Sequence, residues 1–252
     1  MTACLKTSRL LASLALGFGL GALTSSLPVE ARENHAHPVS TASQTADSTQ
    51  PATMPALAAR FEVRSGKKHG DWYISRTAER IETANASTGH NEIWEQNIPE
   101  QYLLTRIYHD DQRIVEYTPG ELKTRNIAPN WAQLASVVPP QWLDKLKRSG
   151  EQQMFGQKAT HYRGRIGAES INLWWLEQSR LPARLLRSGP QGRIAMQLKE
   201  LHTQAPAAWP LASETKIASY GKIDASDFGD MESDPFVIRI QKQDGHDHGH
   251  AH

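Results

Sequence analysis

Residues 101–109 read Q-Y-L-L-T-R-I-Y-H, and their alternation decides the fold class. In an extended chain successive side chains face opposite ways. Tyr102, Leu104, Arg106 and Tyr108 therefore share one side, and Leu103, Thr105 and Ile107 share the other. Working outward, similar runs recur every ~8–12 residues with turn residues between them, the pattern of an antiparallel β protein. Toward the amino terminus they are residues 92–96, 80–83, 71–77 and 59–64, with a turn at 66–70 and another at 85–89. Toward the carboxy terminus, Asp110 and Asp111 turn the chain into residues 113–118, which Pro119 and Gly120 close.

The period then changes. Trp131, Leu134, Ala135 and Val138 fall at helical spacing, with Asn130 as a cap. Pro139 and Pro140 stop that helix and start a second, in which Trp142, Leu143 and Leu146 share a face and which Gly150 ends. Strands resume at 153–155, 159–165, 170–177, 181–188 and 193–202, the last two joined by the Gly189-Pro190-Gln191-Gly192 turn. A long meander with helices inserted at 130–148 predicts a mainly β, strongly curved sheet whose concave face the helices partly cover.

The ends carry a different kind of information. Lys6 and Arg9 precede an uncharged apolar run at 10–23, too short for the ~20 residues of a membrane-spanning helix. Ser25, Ser26 and Pro28 break the run, and Val29-Glu30-Ala31 supplies a cleavage site. Residues 1–31 are therefore expected to be a secretory signal. The single cysteine, Cys4, precedes the apolar run, so no acylated amino terminus is expected, and the exported chain has no thiol for disulfides or thiolate chemistry. Residues 32–56, rich in Ser, Thr, Ala, Gln and Pro, are expected to be a disordered leader, and residues 57–243 one domain. Removal of the signal leaves 26 basic against 26 acidic side chains out of 28 and 27, a balance that offers no electrostatic case for nucleic acid or an anionic membrane surface. The expected location is the periplasm, as a soluble, non-lipidated protein.

Residues 162–164 (YRG), 171–176 (INLWWL), 181–184 (LPAR) and 193–201 resemble the periplasmic lipoprotein carriers of the LolA/LolB/RseB group. The resemblance implies an unclosed β-barrel, a half-barrel covered by helices, with an apolar cavity for acyl chains. Glu177 stands where the group has an acidic residue after its Trp-Leu pair, and Arg76 or Arg80 is nearest in position to the arginine with which the carrier switches its lid. Without a lipidation signal the chain departs from the outer-membrane acceptors. Under this reading the partner is a lipid, an acyl chain or a lipidated protein. Trp72, Trp94, Leu104, Leu173, Trp175, Trp131 and Trp142 are the candidate cavity residues, wide rigid surfaces suited to an apolar ligand. Trp174 and Trp175 are adjacent on a strand, so one must face the cavity and the other the convex side.

No nucleophile elbow, phosphate-binding loop or metalloprotease helix occurs, and the chain is not expected to be an enzyme. Asp110, Asp111, Glu116 and Glu121 are read as solvent-facing, and His109 and His161 as structural strand histidines. No cofactor is required. Residues 244–252 (DGHDHGHAH) are expected to be a disordered tail in which His246, His248, His250 and His252, helped by Asp244 and Asp247, bind zinc, copper or nickel. A metal-buffering protein built around this tail is the main alternative function. A third is an assembly or envelope-stress factor that recognises protein through a sheet edge.

Overall fold

The computed structural model describes residues 54–85 and 89–247. One twelve-stranded mixed sheet dominates it: β1 (Leu57–Ser65), β2 (Lys68–Arg76), β3 (Arg80–Asn85), β4 (His90–Ile98), β5 (Gln101–Tyr108), β6 (Arg113–Tyr117), β7 (Lys147–Met154), β8 (Gln157–Ile166), β9 (Glu169–Leu176), β10 (Leu181–Gly189), β11 (Gly192–His202) and β12 (Gly221–Asp224). Five short helices complete it: α1 (Pro119–Thr124), α2 (Trp131–Ser136), α3 (Trp142–Lys145), α4 (Glu214–Ile217) and α5 (Pro235–Asp247). The strand order is β12-β6-β5-β4-β3-β2-β1-β11-β10-β9-β8-β7, and the sheet is unclosed. Two antiparallel meanders, β6 to β1 and β11 to β7, are joined where β1 pairs with β11, with Phe61 opposite Leu198. The sequence shows the two meanders but not this seam, which joins residues about 140 apart.

Curvature follows from the inserted helices. Trp131, at the start of α2, stacks on Tyr102 of β5 at 6.0 Å. At the far end of the segment Leu146 lies so close to Gly164 of β8 that a Cβ there would meet its Cδ2 at 3.0 Å. Eight strand spacings of ~4.8 Å separate β5 from β8, about 38 Å on a flat sheet. Residues 131–146 would reach only ~33 Å in a straight line, and the chain turns at Val137, whose φ is 70°, and again at Pro139 and Pro140. Because the chain turns twice between its two contacts, it draws β5 and β8 toward each other, and the sheet bends around the helices.

Arg76 fastens this cover. Its side chain is 1% exposed, and its guanidinium donates to the carbonyls of Pro55, Ala135, Ser179 and Arg180, thus to the chain before β1, the end of α2 and the β9–β10 turn. All four acceptors are neutral. Burial, and then repulsion from Arg180, lowers its pKa to about 10, so at neutral pH a full charge is held on carbonyl dipoles. Arg80, the other candidate for the latch, instead ion-pairs with Glu82 and Glu95 on the opposite face.

Several boundaries differ from the expectation. Pro119 and Gly120 do not close a turn; they open α1, because Thr118 and Glu121 form a capping box and Glu121 is thereby a helix cap, not a free surface acid. Gly150 does not end a helix. It lies within β7 opposite His161, and α3 stops at Leu146. The strand β12 pairs in parallel with β6, and α5 carries its backbone through Asp247, into the stretch read as tail. Phe236, Val237 and Ile240 bury one stripe of α5, which holds that helix onto the sheet.

Replacing Arg76 with leucine should strip four carbonyls of their donor, each costing roughly 1–3 kcal/mol if left unpaired and dry. A loss of at least ~2 kcal/mol in denaturant unfolding is expected, with a smaller loss for Arg76→Lys, which restores the charge and some donors.

Candidate functional site

The inner face divides into two halves along the strands. Under α1 to α3 it is sealed. Ile74, Ile81, Leu104 and Leu173 are each at most 1% exposed there, Trp94, Trp142 and Trp175 at most 6%. Toward the β1–β2 and β3–β4 turns the same face is only half-buried: Val63, Trp72, Thr83, Ile194, Tyr162 and Ile166 all retain accessible surface. Registers set Val63 opposite Met196, Ser65 opposite Ile194, Phe61 opposite Trp72 and Tyr162 opposite Leu173, with Arg187 between Ile194 and Ile171.

All seven candidate cavity residues join one apolar cluster. Leu104, Leu173, Trp94, Trp142 and Trp175 fill it as core. Trp72 and Trp131 stay half-buried and keep surface for another molecule. Trp72 packs on Phe61 with centroids 5.6 Å apart. The Trp174–Trp175 pair splits as alternation requires. Trp175 enters the core, and Trp174 stacks on His161 of β8, with centroids 4.4 Å apart and planes within 6°. His161 also holds Asn172 through Nε2 at 2.9 Å and Ser149, the bulged residue of β7, through Nδ1 at 2.9 Å. His109 contacts the Tyr220 hydroxyl at 3.1 Å, and burial lowers its pKa. Both histidines tie elements together. Of the proposed metal ligands, His248, His250 and His252 lie outside the described residues, and Asp244, His246 and Asp247 are described in their backbone alone.

Two polar groups inside the half-buried region were not singled out from sequence: the Glu169–Arg187 ion pair beside Ile166 and Ile194, and a cluster around Glu92. Glu92 on β4 accepts from Arg106 Nε on β5 at 2.9 Å and lies 3.5 Å from His90 Nε2. Arg106 also lies over the Tyr117 ring at 5.4 Å, and His90 packs on Tyr108 at 5.1 Å. Burial opposes ionisation of Glu92, yet His90 and Arg106 outweigh it and hold the carboxyl at about 2. Its side chain is nonetheless 29% accessible, so the carboxylate is enclosed by protein while still facing open space. The signal was present: Arg106 is the one charged side chain on the apolar side of the 101–109 alternation.

On the outer face, residues 203–220 form a strap over the first meander. Trp209 packs edge-on against Tyr73 at 5.2 Å, Asn91 donates to the Pro210 carbonyl at 2.7 Å, and the Ala212 amide donates to Glu82. Ile217 and Tyr220 cover Ile93, Ile107 and Ile114. Burial raises the Glu82 pKa, opposed by the Ala212 amide and by Arg80. Among the described residues no helix is long and apolar enough to cross a membrane.

No protein-family model and no curated protein matches the chain. Solved structures do align with it. The MucA/MucB complex of Pseudomonas aeruginosa is 17% identical, with 64% of this chain and 56% of that one covered at a TM-score of 0.34. The Mycobacterium tuberculosis lipoprotein LppX is 13% identical, with 60% and 89% covered and a TM-score of 0.34. PNGF-II is 10% identical at a TM-score of 0.37, with 71% of this chain covered, and the chain spans only a third of its length.

The Glu92 cluster makes stability depend on pH in a definite direction. A carboxyl held at about 2 when folded, against its ordinary 4.5, contributes stability that is fully present above 4.5 and is lost as pH falls toward 2. The contribution is at most about 3 kcal/mol. Unfolding measured from pH 6 to pH 2 should show that loss, and Glu92→Gln should flatten it.

Proposed function

We propose that this chain is an exported, periplasmic binding protein without catalytic activity, which holds a lipid, an acyl chain or the acyl group of a lipidated protein against the half-buried end of its inner face. The observation that carries the reading is the division of that face. Helices seal one half to near-zero exposure, while the other leaves Val63, Trp72 and Ile194 accessible on three neighbouring strands, with Ile166 accessible beyond the Arg187–Glu169 ion pair. A strand face that curls around apolar residues, backed by a rigid core, suits a flexible chain of methylenes, each worth ~0.8 kcal/mol when buried. Glu92, Arg106 and His90 stand at the same end, where a polar head would lie. The His-rich tail is proposed to bind zinc, copper or nickel as a separate and dispensable feature.

A fluorescent fatty-acid probe tests the reading. It should bind the protein and quench tryptophan emission, and Val63→Arg, which places a charge on a half-exposed position of the apolar wall, should weaken binding about tenfold or more while leaving the far-ultraviolet circular dichroism unchanged. A version ending at Gln243 should bind the probe normally and bind zinc less. A well-folded protein to which no acyl probe binds would refute the reading.

A further inference from the structure

The outer face is dressed unequally. The strap of residues 203–220 lies over β2 to β6, whereas on β8, β9 and β10 the outward positions Arg163, Arg165, Ser170 and Arg184 are exposed. Across those three strands the only acidic residue is Glu169, against Lys158, Arg163, Arg165, Arg184 and Arg187. Glu169 faces inward, where it meets Arg187 at 3.2 Å. The outward positions therefore hold no carboxylate.

Registers fix what they do hold. Arg163 lies between Lys147 of β7 and Asn172 of β9. Arg165 lies beside Ser170, and that row continues through Ser188 to Arg193 of β11. Arg184 lies between Trp174 and Gln197, next to the His161–Trp174 stack. Lys147, Arg163, Arg165, Arg184 and Arg193 are all exposed. Arg165 donates to the Ala168 carbonyl at 3.1 Å, and among the described residues the other four have no carboxylate partner. Five cations thus occupy a patch about 19 Å across the strands and about 14 Å along them. The even charge of the whole chain concealed this segregation, which is a property of one face.

From this array we infer that the basic outer face of β7 to β11 docks on an anionic lipid surface. Three features favour lipid over a protein partner. The cations form a two-dimensional array, which matches laterally mobile headgroups better than a single extended acidic segment. The patch, roughly 270 Å² by these spacings, is about a third of what one side of a stable protein interface buries. The large apolar side chains that stand exposed among the described residues, Ile98, Leu103 and Phe155, lie elsewhere, and the aromatic group within the patch, Trp174, is half-buried and already stacked on His161. Docking of this kind inserts nothing and is therefore reversible and screened by salt. It does not depend on the inner-face site.

The test is co-sedimentation of the protein, in the form its cell processes it to, with vesicles of phosphatidylcholine alone or with 30% phosphatidylglycerol. Binding to the anionic vesicles at low salt, absent from the neutral ones and abolished by 0.5 M salt, is expected. Each cation near a charged bilayer contributes about fivefold, so R163Q/R184Q should weaken binding about 25-fold. Neither side chain makes a contact that the fold needs, and the double variant should unfold like the parent and bind the fatty-acid probe normally. Equal binding to neutral and anionic vesicles, or no loss in the double variant, would overturn the inference. So would stronger binding to polyglutamate than to the vesicles, which would assign the face to an acidic protein. Loss of acyl-probe binding in the parent with vesicle binding intact would instead remove the inner-face reading and leave this one standing.

Discussion

A buried guanidinium without a carboxylate partner is the interaction on which the arrangement of this protein depends. Arg76 gathers the chain before β1, the end of α2 and the β9–β10 turn onto one side chain. Those segments lie far apart in sequence and on opposite sides of the β1–β11 seam. Removing a charge from water is expensive, and carbonyl dipoles offset the cost only when several converge. The cation therefore demands that all of them be in place together. Arg180, close enough to lower the Arg76 pKa further, makes the demand stricter. Few other single contacts could hold two short helices, each below the length that is stable alone, across a sheet of twelve strands.

The consequence is a molecule with two unlike inner halves. Where the cover is fastened, Trp94, Trp142 and Trp175 are ordinary core. Beyond it, Trp72 and its neighbours are left half-dressed, with the Glu92 cluster among them as a fixed charge held ionised by Arg106 and His90. The outer face repeats the contrast: a strap protects the apolar outer residues of β4 to β6, and the exposed outward positions of β8 and β10 are basic. The proposed ligand site and the proposed docking surface lie on opposite sides of one sheet.

Much of this was legible in the sequence, because alternation is local. The 101–109 stretch gives the correct inner and outer sides of β5, Trp174 and Trp175 part to opposite faces, and Asn130 caps α2 through the Gln133 amide as its type suggests. What escaped depended on partners distant in the chain. Pro119-Gly120 reads as a turn until Thr118 and Glu121 are seen to bond to each other's backbone. Gly150 reads as a helix end until His161 is found opposite it, and β12 is too short to recognise without β6 beside it. The candidate site was named by its tryptophans, yet most of them are core. Its polar members were missed although Arg106 stood on an apolar face. The basic patch was invisible to an overall charge count, since only strand register reveals that five cations share one surface.

Native mass spectrometry of the protein isolated from its own host tests the central claim most directly, that the open half of the inner face holds an acyl group. The account predicts a fraction of molecules carrying a non-covalent mass of a lipid or lipidated peptide, lost on denaturation and diminished in the Val63→Arg variant. A native spectrum showing only the bare polypeptide, from protein that is folded and gently isolated, would contradict it.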